Sequence, residues 1–209
     1  MTQQNLKKHR RYGPLVRLIT RDGCAVVEKT YREALPPVRL MGLLLIAWER
    51  FIYSRLAGIE GIPEPMPSPD RLTLITRFMG GTNLKDICQA PDESYFEALE
   101  KLISAIHQRG VIHLDLRNRR NYGIDDRGRP YLVDFASCLY IPWNIRARRV
   151  LEAVDWMGFA KVKHKLVPRL LDAREKRLLS LGRRLSSWWI PTQALRIIRK
   201  LVKKPGAHP

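Results

Sequence analysis

The sequence predicts an α+β chain of two lobes, a small strand-rich one followed by a mainly helical one that ends in a basic helical extension. Three observations carry this. Period-2 apolar runs bounded by turn residues cluster in the first third, at Leu15–Thr20, Cys24–Thr30 and Leu72–Phe78. Helical periodicity dominates from residue 94 onward, interrupted once by a short hairpin. A glycine pair, Gly80-Gly81, separates the two regimes. The expected division is residues 1–81, a reduced first lobe with its hinge; residues 82–168, the second lobe; and residues 169–209, basic amphipathic helices.

The elements follow in order. Leu15–Thr20 and Cys24–Thr30 are joined by Arg21-Asp22-Gly23, a tight-turn sequence, and so read as a hairpin. Leu43, Ile46, Ala47, Phe51 and Leu56 recur at helical spacing and predict a helix over Val38–Leu56 stopped at Gly58. Gly61-Ile62-Pro63 and the proline-rich Pro65–Pro69 break the chain before the strand Leu72–Phe78. Ser94 as N-cap, Glu97 three residues on, an apolar face of Phe96, Leu99, Leu102, Ile103 and Ile106, and Gly110 as stop predict a helix over Ser94–Arg109. Tyr122–Ile124 and Tyr131–Val133 flank Asp125-Asp126-Arg127-Gly128 as a second hairpin. Beyond Pro142 the chain reads as helical, with breaks at Pro168 and Pro191.

Composition narrows the function classes. At 209 residues, 45% hydrophobic and 28% charged, the chain has enough apolar material for a packed core. Its net charge of +18 is unevenly placed. Residues 1–20 carry five basic and no acidic residues, residues 21–140 sixteen of each, and residues 141–209 seventeen basic against four acidic. A neutral body with basic ends argues for a module held by its ends near something anionic, a membrane surface or a nucleic acid, and against a fold whose whole face reads nucleic acid. The longest apolar run, around Leu43–Trp48, is about nine residues, short of the ~20 that span a bilayer. The N-terminus lacks the apolar stretch of a signal peptide, so a cytoplasmic location is expected. Cys24, Cys88 and Cys138 are odd in number and far apart, which excludes a disulfide framework and a CxxC zinc site; they read as reduced, buried thiols.

The motif with most chemical content is His113-Leu114-Asp115-Leu116-Arg117-Asn118-Arg119-Arg120-Asn121, followed after a hairpin-length gap by Asp134-Phe135-Ala136. It resembles the catalytic loop of protein kinases and their Asp-Phe-Gly element. In that chemistry an aspartate takes the proton of the acceptor hydroxyl, and an asparagine and a second aspartate hold Mg²⁺ against the phosphates of ATP. The order of elements over residues 15–140 is also the kinase order. The resemblance implies Asp115 as the base, Arg117 as a charge-stabilising neighbour of the transferred phosphoryl group, Asn121 and Asp134 as metal ligands, and ATP and Mg²⁺ as cofactors. Lys29, on the second strand, resembles the phosphate-pairing lysine, and Glu49, the sole acidic residue of the following helix, is its expected partner. Leu74–Phe78 would contact adenine through its backbone.

Four departures from the kinase pattern stand out. Asp115 to Asn121 is one residue longer than the motif, and the hairpin spacing favours Asn121 over Asn118 as ligand. No GxGxxG precedes Lys29, Ala136 replaces the glycine, and no Ala-Pro-Glu element follows. RIO-type atypical kinases and the bacterial enzymes that phosphorylate lipopolysaccharide core sugars also lack that last element, and the sequence looks most like the sugar-kinase group. The resemblance implies an acceptor in a lipopolysaccharide core precursor (a Kdo or heptose hydroxyl). A protein hydroxyl, as in a RIO-like kinase, and a non-catalytic pseudokinase are the alternatives. His113 is expected to hydrogen-bond the loop backbone. Arg119 and Arg120 fit substrate-anion contacts, structural contacts or a solvated loop.

In the tail, Leu178, Leu179, Leu181, Leu185, Trp188 and Trp189, then Leu195, Ile197, Ile198, Leu201 and Val202, alternate with Arg and Lys. That pattern fits helices lying in a membrane interface, giving peripheral contact with the inner membrane, with Thr192–Lys204 as the anchor. Packing of the same stripe on the second lobe is the other reading, open above all for residues 170–190. Paired tryptophans in a leucine-rich stripe are unlike spaced base-stacking residues, so nucleic acid is not an expected partner.

Overall fold

The computed structural model describes residues 4–7, 12–143 and 146–188. The first lobe is an antiparallel sheet of β1 (Gln4–Lys7), β2 (Leu15–Arg21), β3 (Cys24–Thr30), β4 (Pro65–Met66) and β5 (Thr73–Arg77), in the order β1-β2-β3-β5-β4. The β2–β3 hairpin closes on Asp22 and Gly23 at φ 50° and 77°, the left-handed pair that a two-residue turn requires. Its register pairs Arg21 with Cys24 and Leu15 with Thr30. Two edge strands were not expected. β1 is short and polar, and β4 lies in the proline-rich segment read as a break, where an edge position tolerates the missing N–H.

Helix α1 (Pro36–Arg55) starts two residues before Val38, because Pro36 and Pro37 occupy the first turn, where no backbone donor is needed. It turns Gly42, Ile46, Glu49, Ile52 and Tyr53 inward. A Cβ on Gly42 would lie 2.5 Å from the Tyr31 ring, so glycine there sets how closely the helix meets the segment after β3.

The second lobe holds a sheet of β6 (Thr82–Asn83), β8 (Tyr122–Ile124) and β9 (Pro130–Leu132), a two-strand ladder of β7 (Val111–Ile112) with β10 (Leu139–Tyr140), and helices α2 (Glu93–Gln108), α3 (Arg146–Leu166) and α4 (Ala173–Trp188). The N-cap of α2 is Asp92 rather than the expected Ser94: its carboxylate accepts the Tyr95 N–H at 3.0 Å, and the Ser94 hydroxyl donates to the same oxygen. The helix thus starts one residue before Ser94, with a carboxylate at its positive end. One core runs through both lobes, with Ile46, Ile52, Phe96, Ile103, Tyr122 and Phe135 fully buried in it.

Helix α3 ends before Pro168, where a short 3₁₀ turn leads to α4. A reciprocal pair of bonds between Asp172 and Glu175 caps α4, and buried Glu175 holds the ammonium of Lys163 on α3 at 2.9 Å. The start of the basic extension is therefore packed on the second lobe. The Trp188 and Trp189 side chains and the segment Thr192–Lys204 lie outside the described residues. No helix among the described residues is long and apolar enough to cross a membrane. Of the three thiols, Cys138 is buried, but Cys24 and Cys88 are exposed, the first directly after the β2–β3 turn and the second in the loop between β6 and α2. Burial pushes the Cys138 thiol well above its ordinary range.

Candidate active site

Lys29 stands on β3 and Glu49 on the inward face of α1, and their side chains meet at 2.8 Å. The same ammonium lies 2.9 Å from Asp134, at the end of the second lobe's hairpin. One lysine thus joins both lobes. Burial alone would push its pKa down, but Glu49 and Asp134 outweigh that and hold it above the ordinary lysine value, so it stays an ammonium ion. Burial pushes the Glu49 carboxyl up, opposed by Lys29 and by a bond from the Phe135 backbone N–H. Phe135 is fully buried, its ring 5.2 Å from Tyr53 of α1 and 5.0 Å from His113.

The loop after β7 is held from below. Asp155, on α3 and fully buried, accepts the backbone N–H groups of His113 and Leu114, each at 2.7 Å, and contacts His107 Nε2 at 2.9 Å. Leu114 takes φ 61°, a left-handed conformation that a leucine keeps only where its surroundings impose it. His113 Nε2 bonds the Val133 carbonyl at 3.2 Å, and since a carbonyl only accepts, the ring proton sits on Nε2. The histidine therefore bonds backbone, as expected, but that of the strand end leading into Asp134 rather than of its own loop.

Asp115 follows with its carboxylate turned toward the end of the loop. Its Oδ2 accepts from Asn121 Nδ2 at 3.0 Å, and its backbone carbonyl accepts from the same amide at 3.1 Å. The extra residue between them is absorbed by a 3₁₀ turn over Arg119–Asn121, capped by the Asn118 side chain, which accepts the Arg120 N–H at 3.2 Å. Arg117 is largely exposed, its Nε 3.8 Å from Asp115 Oδ1. The Val133 N–H donates to the Asn121 carbonyl at 3.0 Å, which ties the end of this loop to the strand leading into Asp134. Asp134 is itself left-handed, at φ 67°, with its carboxylate half exposed.

All six sequence-chosen residues therefore fall in one region: Lys29, Glu49 and Asp134 in direct contact, Asp115 bonded to Asn121, and Arg117 at the rim. The available metal donors are a solvent-facing carboxylate and an amide oxygen. Such hard oxygen donors suit Mg²⁺, which takes few protein ligands and completes its shell with water and phosphate. Among the described residues, no group of three or more His, Cys, Asp or Glu side chains is placed to hold a metal ion.

Sequence reading missed Asp155. The signal was present: a carboxylate at i with Gly158, Phe159 and Val162 at i+3, i+4 and i+7, an acid on an apolar face. Gly158 belongs to the same device, because a Cβ there would lie 2.8 Å from the backbone of Leu116 and Arg117. The hinge glycine is equally constrained. Gly81, at φ 56°, has no room for a Cβ against the Ile124 carbonyl, and its N–H donates to Asp126 at 2.8 Å.

No family model and no curated protein matches the chain. Among solved structures it is similar to the Rio2 kinase of Chaetomium thermophilum in its ADP/Mg²⁺-phosphoaspartate complex, with a TM-score of 0.62 and 16% identity over 79% of this chain and 57% of that one. It is also similar to a second structure of Rio2 kinase from that organism, with a TM-score of 0.57 and 13% identity over 85% of this chain and 71% of the other. The chain thus spans little more than half of the first. The likeness establishes a protein-kinase-like fold.

Proposed function

We propose that the protein is a phosphotransferase that uses ATP and Mg²⁺ to phosphorylate a hydroxyl group. The observation that carries this reading is Lys29, whose ammonium bridges Glu49 of one lobe and Asp134 of the other. In this role Glu49 keeps Lys29 charged and aimed at the nucleotide phosphates. Asp134 and the Asn121 amide oxygen would hold Mg²⁺, which when bound neutralises charge on the transferring phosphoryl group. Asp115 accepts the proton of the attacking hydroxyl, oriented by Asn121, and Arg117 stabilises charge at the mouth. The Rio2 structure to which this fold is similar is a complex with ADP and Mg²⁺, which supports the choice of cofactors.

For the acceptor, we favour a lipopolysaccharide core sugar hydroxyl, with the protein lying at the cytoplasmic face of the membrane through its basic tail. The supporting feature is the short link of eleven residues from Asp134 to α3, which leaves little chain on which an extended peptide could dock. The likeness to Rio2 kinase supports the second reading, a protein acceptor. The β1–β2 connection, residues 8–14, contains one glycine, Gly13, and keeps the pseudokinase reading in play. The deciding experiment incubates the protein with γ-labelled ATP and Mg²⁺, and in turn with core lipopolysaccharide or a generic protein substrate. Label in the sugar, abolished by Asp115→Asn, supports the first reading; label only in protein supports the second; no label and no nucleotide binding overturns phosphotransfer. Removal of residues 192–209 should weaken sedimentation with anionic vesicles in a salt-sensitive way and leave the melting temperature nearly unchanged.

A further inference from the structure

Beside the candidate active site lies a hollow of about 340 Å³ walled by Lys85, Arg117, Arg119, Arg120, Lys161 and Lys165, with no acidic or aromatic lining residue. Three separate parts of the fold converge to make it. Lys85 follows β6, the three arginines come from the loop after Asp115, and Lys161 and Lys165 occupy one face of α3. The close approach of α3 to the loop at Gly158 brings that face beside the arginines.

Six cations facing one space repel one another, and lysines at i and i+4 do so on their own helix. Elsewhere the fold neutralises its cations, as with Lys163 against Glu175, Arg129 against Asp125 and Arg148 against Glu152. Here compensation is sparse. Lys85 reaches Asp86 only at 4.0 Å, and Arg117 reaches Asp115 only at 3.8 Å. Among the described residues, no ion pair joins Arg119, Arg120, Lys161 or Lys165 to a carboxylate. Forked guanidinium donors and mobile ammonium groups around a shallow solvated hollow match a phosphomonoester, which presents several acceptor oxygens and up to two negative charges.

We propose that this hollow is an acceptor subsite for a phosphate group already carried by the molecule to be phosphorylated. The proposal rests on the reading of Asp115 as the acceptor-side base: Arg117 lines the hollow and stands next to Asp115, so an anion held there presents the rest of its molecule to that carboxylate. The acceptor class is a phosphorylated sugar, free or on a lipid. A nucleic acid fits less well, since no lining side chain offers a stacking face for a base.

The test titrates the full chain at low salt with glucose 6-phosphate and with glucose, followed by protein NMR, and sediments it with phosphatidylcholine vesicles with and without phosphatidic acid. The double variant Lys161→Glu/Lys165→Glu changes exposed residues outside the catalytic machinery. Lys176→Glu/Arg177→Glu on α4 makes the same charge change at another exposed site. Expected is binding of the phosphosugar and not of glucose, weakened about tenfold or more by the α3 variant and less than about twofold by the α4 variant. Saturation by glucose 6-phosphate indicates a soluble source, and binding confined to phosphatidic acid vesicles a lipid one. Equal weakening by both variants, no phosphate binding in either format, or displacement of glucose 6-phosphate by an equimolar single-stranded RNA overturns the subsite. If the phosphate contact behaves as expected but labelled ATP is never turned over, the phosphotransferase reading fails and the anion site stands. If the α3 variant labels its acceptor as fast as the parent, the hollow is not an acceptor subsite, whatever the enzyme does.

Discussion

Asp155 lies 42 residues beyond His113 in sequence, yet its carboxylate accepts the His113 backbone N–H at 2.7 Å inside the core. The second oxygen takes the Leu114 N–H, so one side chain fixes two successive peptide groups immediately before Asp115. The left-handed Leu114 is the consequence: both donors point down into the core, and Asp115 is turned up into the cleft. Asp155→Ala strands two buried donors, each worth about 1–3 kcal/mol when unsatisfied, so a loss of about 3 kcal/mol or more is expected in urea unfolding. Asp155→Asn should be nearly as damaging, because its NH₂ must face a backbone donor. A loss under about 1 kcal/mol for both variants would mean that the loop holds its shape by other contacts.

The Lys29–Glu49 pair is a buried ion pair, and such pairs behave asymmetrically. Removing one partner leaves an uncompensated charge and costs about 3–5 kcal/mol, whereas replacing both by neutral groups of similar size costs far less. Glu49→Ala should accordingly destabilise more than Lys29→Met/Glu49→Gln, though Asp134 softens the single loss by remaining beside the ammonium. The pH dependence has a defined sign. The folded-state pKa of Lys29 is raised, so its contribution is fully present below the ordinary lysine value of about 10.4 and disappears as pH rises through the folded value. Denaturant melts above about pH 10 should show a steeper loss for the parent than for the double variant; parallel limbs would remove Lys29 as the titrating group.

The contrast between Lys29–Glu49 and Asp155 shows what the sequence disclosed. Lys29, Glu49, Asp115, Asn121 and Asp134 stand out because a local motif and the order of elements resemble those of protein kinases, and a linear chain displays both directly; the fold brings them to one region. The pairing of Lys29 with Asp134 spans 105 residues and follows from the packing of the two lobes, whereas the Asp155 contact follows from the packing of α3 on the loop after β7 within the second lobe. Their partners are set by tertiary neighbours, so only an acid out of place on an apolar face hinted at the second. β1 and β4 escaped because strands of four and two residues are too short to display an alternation in the sequence. The sequence reading takes Ser94 as the cap, but Asp92, two residues earlier, starts the helix by accepting the Tyr95 N–H, which leaves Ser94 inside the first turn. The basic hollow arises from three distant segments and had no sequence signal beyond the arginine run.

The two aspartates of the cleft should separate binding from chemistry. Asp134→Ala removes the exposed carboxylate that would hold Mg²⁺ and should abolish Mg²⁺-dependent nucleotide binding in calorimetry, with a folded protein retained. Asp115→Asn keeps an acceptor oxygen for Asn121 yet cannot take a proton, so turnover should fall by about 10²–10⁴ with nucleotide affinity unchanged. Unchanged turnover would assign the proton transfer to another group, and lost affinity would make Asp115 a part of the nucleotide site.

Gly158 offers a test of how the loop and α3 are coupled. On helix propensity alone, Gly158→Ala should stabilise α3 by about 1 kcal/mol. The structure argues for the opposite sign. The new Cβ would sit 2.8 Å from Arg117 N and Leu116 C, which are backbone atoms and cannot rotate away. Relief requires moving α3 off the loop, and with it Asp155, at an overpacking cost of about 1–3 kcal/mol. Because the shift displaces the peptide next to Asp115, turnover should fall more than nucleotide affinity. Gly128→Ala supplies the comparison: at φ 80° in an open turn it meets no atom, so it should cost stability through backbone strain alone and leave turnover intact. If Gly158→Ala proves more stable than the parent in urea, or impairs turnover no more than Gly128→Ala does, the close approach of α3 does not set the geometry of the loop.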